Sequence, residues 1–187
     1  MEQATRERAH LERILLVCGK QNAGKSRLLR HMLGDERLGG HVPVKGPVAL
    51  RALSRERCLA VLSSSPHEKG ETEAQFNRRL DRVTAHAWKL SWRGNVACAV
   101  QPQAFRSMPG IVQVCGGLLK QFNPERIRVI QLSPDRLGTL DSQLTLAEVD
   151  GLRGLDVEVL SIDARRNQVR PVEPGNVRVL AGFFDFS

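Results

Sequence analysis

The chain has few aromatic residues and no long apolar segment. Only 4% of its 187 residues are aromatic and none is tyrosine, so we expect a core of mainly aliphatic side chains. Nowhere do eighteen apolar residues follow one another, and the charged first twelve residues lack the apolar stretch of an export signal. These absences predict a cytoplasmic protein with no membrane span.

Cysteine is also sparse, and its spacing does not suggest a metal site. The four cysteines stand singly, without a CxxC pair or the Cys/His spacing that is typical of zinc ligands. Three of them lie in apolar, strand-like runs. We therefore predict reduced, buried thiols at Cys18, Cys58, Cys98 and Cys115.

Positive charge is in excess and is unevenly distributed. The net charge is +8, and the sequence pI is about 10.0. Residues 1–60 hold 12 Lys and Arg against 6 Asp and Glu, whereas residues 61–187 hold 16 against 14. Such a field attracts nucleotide phosphates, nucleic acid or an acidic protein partner. A plain basic surface would have the same composition, because charge alone carries no specificity.

One motif dominates the sequence. The segment Gly19–Ser26 reads GKQNAGKS and fits GxxxxGK[ST] at every fixed position. The apolar run 14–18 before it predicts a buried strand, and the amphipathic run 27–33 after it predicts a helix that ends near Gly34. A polyphosphate needs this context, because glycines and a helix N-terminus let several backbone N–H groups approach it.

With this motif and its flanking elements, the chain resembles the P-loop NTPase superfamily. The resemblance implies that Lys25 reaches the β- and γ-phosphates of a nucleotide as a catalytic residue, and that the Ser26 hydroxyl ligates Mg²⁺. Nucleotide binding is expected from Gly19, Lys20, Gln21, Asn22, Ala23, Gly24, Lys25, Ser26 and Arg27. Two plainer interpretations stay open: a chance match in an ordinary turn, and a P-loop that binds a nucleotide without turning it over.

Strand and helix patterns alternate along most of the chain. Strands are predicted at 48–53 and 57–62 (a hairpin or adjacent pair), 95–100, 126–132, 157–162 and 177–186; helices at 71–86, 111–122 and from the capping box at Thr145. This alternation predicts an α/β, three-layer P-loop NTPase-like domain with a mainly parallel sheet and helices on both faces. We expect a single domain over 1–187, with 1–11 as a flexible or surface-lying start.

The loop 34–47 is rich in Gly and Pro, which predicts a surface connection after the first helix. Many P-loop proteins, which the chain resembles, place switch elements there. His41 and Lys45 are therefore candidate ligand contacts, although a plain connector explains the composition as well.

A catalytic acid is harder to find. Hydrolytic members of the superfamily usually have an apolar strand that ends in Asp, often Asp-Glu, and this chain has no run of four apolar residues followed by Asp-Glu. The strand-end acids are Glu68, Asp135 and Asp163. We choose Glu68, beside Ser65 and His67, because its strand is the expected neighbour of the P-loop strand. The alternative is a solvated glutamate stabilised by a helix N-terminus.

The sequence bears on the roles of several arginines and on the identity of the nucleotide base. Arg78, Arg79, Arg82 and the pair Arg165–Arg166 are candidates for neutralising a transferred phosphoryl group, or they form solvated faces. No guanine-reading NKxD element is present, since Ser133–Arg136 matches it poorly, so ATP is expected rather than GTP.

Three functions fit these observations. The first is an ATPase or ATP-dependent switch, a hydrolase acting with nucleic acid or an acidic protein, alone or in an oligomer or complex. The second is a small phosphotransferase of the nucleoside- or nucleotide-kinase type. The third is a non-catalytic binding or scaffold subunit with a structural P-loop.

Overall fold

The computed structural model describes residues 10–43, 48–87, 92–138, 143–165 and 172–186. The strands are β1 (His10–Cys18), β2 (Val48–Ala52), β3 (Arg57–Leu62), β4 (Arg93–Val100), β5 (Arg126–Leu132) and β6 (Glu158–Ile162). The helices are α1 (Lys25–Met32), α2 (Pro66–Lys69), α3 (Glu73–Ala87), α4 (Ile111–Phe122), α5 (Leu146–Arg153) and α6 (Pro174–Gly182), with a 3₁₀ turn at Glu36–Leu38.

The strands form one sheet in the order β2-β3-β4-β1-β5-β6. Every neighbouring pair is parallel except β2 and β3, which form an antiparallel hairpin. The strand β1 lies between β4 and β5, with Leu16 opposite both Cys98 and Val129. A strand in this position is buried on both faces, which explains its nearly continuous apolar sequence.

Helices cover both faces of the sheet. On one face α3, α4 and α5 pack on a core that includes Leu16 of β1. On the other face α1 and α6 pack on a second core that includes Leu15 and Val17. The described residues therefore confirm an α/β architecture with a mostly parallel sheet, and they are consistent with three layers.

Two parts of the chain differ from the sequence-based prediction. The prediction of a strand at 177–186 is wrong, because the chain forms helix α6, with Pro174 in its first turn. Proline presets the helical φ angle there. The valines at 177 and 179 suggested a two-residue repeat, but the adjacent Leu180 and Ala181 are the buried pair. At the other end, β1 already includes Leu11, which is 2% exposed; residues 1–9 lie outside the described part.

The helical assignment of α6 predicts how two neighbouring substitutions differ. Leu180 is fully buried against α1, whereas Val179 is 39% exposed. Leu180→Ala should lower the free energy of unfolding by about 2–5 kcal/mol, and Val179→Ala should change it by less than about 0.5 kcal/mol. Urea unfolding of both variants measures this difference. A larger loss at Val179 than at Leu180 would support the strand instead.

Candidate functional site

The GxxxxGKS segment connects the carboxyl end of β1 to the first turn of α1. Its glycines are required by the local backbone. Gly24 has φ 104°, where a side chain is strained, and a Cβ there would lie 3.3 Å from Cβ of Arg136. A Cβ on Gly19 would lie 3.0 Å from Cβ of Ala23. The loop therefore adopts a conformation that L side chains at these two positions would disturb.

Several backbone amides of this loop have no protein acceptor. Ala23 N–H donates to Lys20 O and Lys20 N–H to Oε1 of Gln143, and Gly24 precedes α1 without a side-chain cap. Within the described part of the chain, no acceptor is found for the N–H groups of Gln21, Asn22, Gly24, Lys25 and Ser26. Unbonded amides at a helix N-terminus form a site for an anion.

Lys25 brings a buried positive charge to these amides. Its side chain is 2% exposed, and Nζ donates to Gly19 O at 2.9 Å, Lys20 O at 2.7 Å and Oε1 of Glu68 at 3.0 Å. Two of these acceptors are carbonyls of the loop itself. The structure thus brings together Lys25 and Glu68, the two residues that the sequence suggested as catalytic.

The reason given for choosing Glu68 was wrong, although the residue does reach the loop. β3 is not a neighbour of β1, because β4 lies between them. Glu68 reaches Lys25 from α2, a single helical turn that follows β3 and packs on β4. Its position in this turn also fits the alternative of a glutamate near a helix N-terminus, but the ion pair with Lys25 shows a specific partner.

His67 forms hydrogen bonds between this turn and the segment that follows β4. The imidazole is fully buried; Nε2 lies 3.0 Å from Pro109 O, and Gln101 N–H donates to Nδ1 at 3.3 Å. The two contacts indicate a neutral ring with its proton on Nε2. Burial lowers the pKa of His67, and the nearby Lys25 charge acts in the same direction. The neutral His67 ring therefore links the turn that carries Glu68 to Pro109 and Gln101 through hydrogen bonds.

This lowered pKa predicts a pH dependence of stability. Below about pH 6.5 the unfolded chain binds a proton at His67 more readily than the folded chain, so stability falls as the pH falls. His67→Gln keeps a donor and an acceptor but does not titrate. Urea unfolding at about pH 7.5 and about pH 5.5 should show a smaller loss of unfolding free energy in this variant than in the wild type.

The matched control for that measurement is His41→Gln, a substitution at an exposed histidine. If His67→Gln and the wild type lose the same free energy of unfolding over this range, the buried imidazole is not responsible.

Ser26 Oγ donates to Ser63 O at 2.5 Å, and Ser63 directly follows β3. No acidic side chain among the described residues forms a hydrogen bond with Ser26. Among the described residues, no group of three His, Cys, Asp or Glu side chains can hold a metal ion. The residues present therefore fit Mg²⁺ only as a Ser26 hydroxyl completed by phosphate oxygens and water.

The other predicted acids lie beside the loop or are paired elsewhere. Asp135 follows β5 and accepts from Leu137 N–H at 2.8 Å, while Arg136 N–H donates to Ala23 O at 3.3 Å. Asp163 forms an ion pair with Arg165. The loop after β5 thus touches the GxxxxGKS segment through its backbone.

The arginines predicted as phosphoryl-binding groups are engaged with acids or face solvent. Arg79 pairs with Glu71 at 2.9 Å, and Arg165 with Asp163. Arg78 and Arg82 are exposed on α3; Arg166 lies outside the described residues.

One predicted ligand contact in the loop after α1 lies at the opposite end of that helix from the GxxxxGKS segment. His41 follows the C-terminal end of α1, one helix length or about 12 Å from the loop at its start, and is exposed. Lys45 lies outside the described residues.

Sequence reasoning missed two glutamines that support the loop. Gln143 is 1% exposed; its Oε1 accepts from Lys20 N–H at 2.9 Å, and its backbone carbonyl accepts from Nε2 of Gln103 at 3.1 Å. Neither residue belongs to a periodic pattern or a motif, because both act through tertiary hydrogen bonds. Only the fold brings them together.

A cleft lies beside the start of α1. It is lined by Gly24, Arg27, Leu28, Arg136, Ala164, Val172, Glu173 and Asn176. The loops after β5 and β6, with the start of α6, therefore form one side of it, and Gly24 with the start of α1 forms the other. Arg27 is one of the residues that line this cleft.

The cysteines have the predicted character. All four are buried and free. Burial raises the pKa of the thiols of Cys98 and Cys115 to about 12 and also raises the pKa of Cys18. Such thiols are poor nucleophiles and metal ligands at neutral pH.

Comparison with known proteins found no relative: no protein-family model matches the chain, and no curated protein or solved structure matches it either. Among the described residues no helix has the length and apolar character needed to cross a membrane. What the site can do therefore follows from its own residues.

Proposed function

We propose that this protein binds a nucleoside triphosphate through the segment Gly19–Ser26 and acts as an ATPase or ATP-dependent switch with a partner. One observation carries the proposal: five N–H groups of this segment have no acceptor among the residues that the structure describes, and the same segment includes the buried ammonium of Lys25. Amides and a cation at a helix N-terminus match the shape and charge of a polyphosphate. The net charge of +8 adds long-range attraction for such a ligand.

Glu68 forms an ion pair with Lys25. A phosphate at the amides competes for the same ammonium, and its negative charge repels the carboxylate. Glu68 is partly exposed, so it is free to turn toward solvent. Its carboxylate then becomes an acceptor for the proton of an attacking water molecule.

Ser26 would hold Mg²⁺ at this site, where the ion would neutralise charge on the phosphate oxygens. The Ser26 hydroxyl must then exchange its contact with Ser63 O for a metal contact. No aspartate assists it among the described neighbours. The role of Ser26 is thus to contribute one ligand, and the phosphates provide the main anchor.

The sequence favours ATP over GTP as the ligand, because it has no NKxD element for reading guanine. Asp135, the acid in the loop after β5, accepts from Leu137 N–H within its own turn and is 8% exposed. We therefore propose ATP rather than GTP.

Lys25→Met tests the binding site directly. The substitution keeps an apolar stem in the buried space but removes the ammonium and its charge-assisted hydrogen bonds. Calorimetry should show Mg·ATP binding to the variant weakened by about 10- to 100-fold. Lys120→Met, at an exposed position on α4, is the matched control and should bind as the wild type does.

Thermal unfolding of both variants checks that they are folded. If the folded wild type binds neither Mg·ATP nor Mg·GTP, the proposed function fails.

Glu68→Gln separates binding from turnover. Removal of the carboxylate frees Lys25 for phosphate, so we expect Mg·ATP to bind at least as tightly as to the wild type. Phosphate release should fall by about 10²-fold, the usual scale for loss of a general base. An unchanged release rate would show that Glu68 has no catalytic role. Release that requires an added nucleoside or nucleotide acceptor would indicate a kinase.

A further inference from the structure

An exposed aromatic residue begins a tight turn that follows β4. Phe105 and Met108 exchange two backbone hydrogen bonds, at 3.0 and 3.1 Å. Met108 is 1% exposed and anchors the turn in the core, whereas Phe105 is 46% exposed. Between them Arg106 has a left-handed φ of 55°, and its guanidinium lies over the Phe105 ring at 5.2 Å.

Unpaired positive charge surrounds this ring. A Cβ on Gly70 would lie 2.9 Å from Nη1 of Arg106, so the guanidinium is beside the residue that follows Lys69. Lys20 is linked to the turn through Gln143 and Gln103. Lys20, Lys69 and Arg106 are exposed and form no ion pair with any residue that the structure describes. We name Lys20, Lys69, Phe105 and Arg106 the strand-end patch.

Two acids near the patch form ion pairs with other groups. Glu68 is paired with Lys25 and Glu71 with Arg79. Glu148 keeps its charge and accepts from Thr145 in the capping box that opens α5. The three cations Lys20, Lys69 and Arg106 therefore outnumber the acid near them that has no cationic partner.

A second pair of an aromatic residue and an arginine lies where β4 begins, at the opposite end of that strand from the patch. Trp92 is also 46% exposed, and Arg93 lies over its ring at 4.5 Å. However, Nη1 of Arg93 donates to Glu12 at 2.5 Å, and Glu12 is 1% exposed. Arg93 is thus paired with a buried acid that Arg57 shares, whereas Arg106 has no acidic partner among the residues that the structure describes.

We propose that the strand-end patch binds single-stranded nucleic acid beside the nucleotide site. One unpaired base stacks on Phe105, and Arg106 and Lys69 contact the flanking phosphates. A base is available for stacking in a single strand but not inside a duplex. Because the patch offers a ring and cations without a base-reading groove, binding should tolerate many sequences.

Two hydrogen-bonded links connect the patch to the nucleotide site. One runs from Gln103 through Gln143 to Lys20 N–H. The other runs from Pro109 O, on the far side of the turn, to His67, the neighbour of Glu68. We therefore expect Mg·ATP and the oligonucleotide to change each other's affinity by the same factor. Only this coupling rests on the proposed function.

The test uses the full chain and a fluorescein-labelled oligo-dT of about 20 nucleotides, titrated in fluorescence anisotropy at several salt concentrations. Phe105→Ala should weaken binding by about 10-fold or more. Lys69→Glu with Arg106→Glu should weaken it further and reduce the salt slope by about 0.7 for each lost phosphate contact. Trp92→Ala and the pair Arg78→Glu with Arg82→Glu are matched controls, and should bind as the wild type does.

Each outcome decides the proposal. Loss of affinity in the patch variants, with binding kept in the controls, supports it. It is overturned if the wild type does not bind the oligonucleotide, which would leave an acidic protein as the partner, or if the controls lose as much affinity as the patch variants. Calorimetry with Mg·ATP on the same samples keeps the two ideas apart, because ATP binding without oligonucleotide binding contradicts only the patch.

Discussion

The site depends on the enclosure of one ammonium group. Lys25 is nearly excluded from water, and a buried charge is tolerated only when acceptors surround it. Two loop carbonyls and the carboxylate of Glu68 supply them. The carbonyls are fixed to the loop, whereas the carboxylate belongs to a separate helical turn. Glu68 is therefore the one acceptor that an anionic ligand can replace.

The sheet order brings these groups together. The strand β1 ends at the loop, and β4 beside it ends in the segment that carries Gln101 and Gln103. Through His67 and Gln143 this segment contacts both the turn of Glu68 and the backbone of Lys20. The carboxyl ends of parallel strands lie at one edge, which is the usual place for a ligand in such a sheet.

Local patterns predicted most of the elements, but not how they meet. The apolar run of β1, the capping box at Thr145 and the hairpin of β2 and β3 were all confirmed, since each depends on neighbouring residues. Helix α6 was not predicted, because Val177 and Val179 stand two residues apart as in a strand. The burial of this helix against α1 depends on tertiary packing. Glu68 was chosen as the catalytic acid from an incorrect strand order, its ion pair with Lys25 was not predicted, and Gln143 had no local signal.

The measurement that tests the central claim most directly is the backbone amide spectrum of the ¹⁵N-labelled protein, recorded with and without Mg·ATP. If phosphates bind at the unbonded N–H groups, the largest shifts should occur at Gln21, Asn22, Gly24, Lys25 and Ser26, with smaller shifts near Glu68 and Gln103. Unchanged signals for these amides at saturating Mg·ATP, or shifts confined to the loop after α1, would contradict the account.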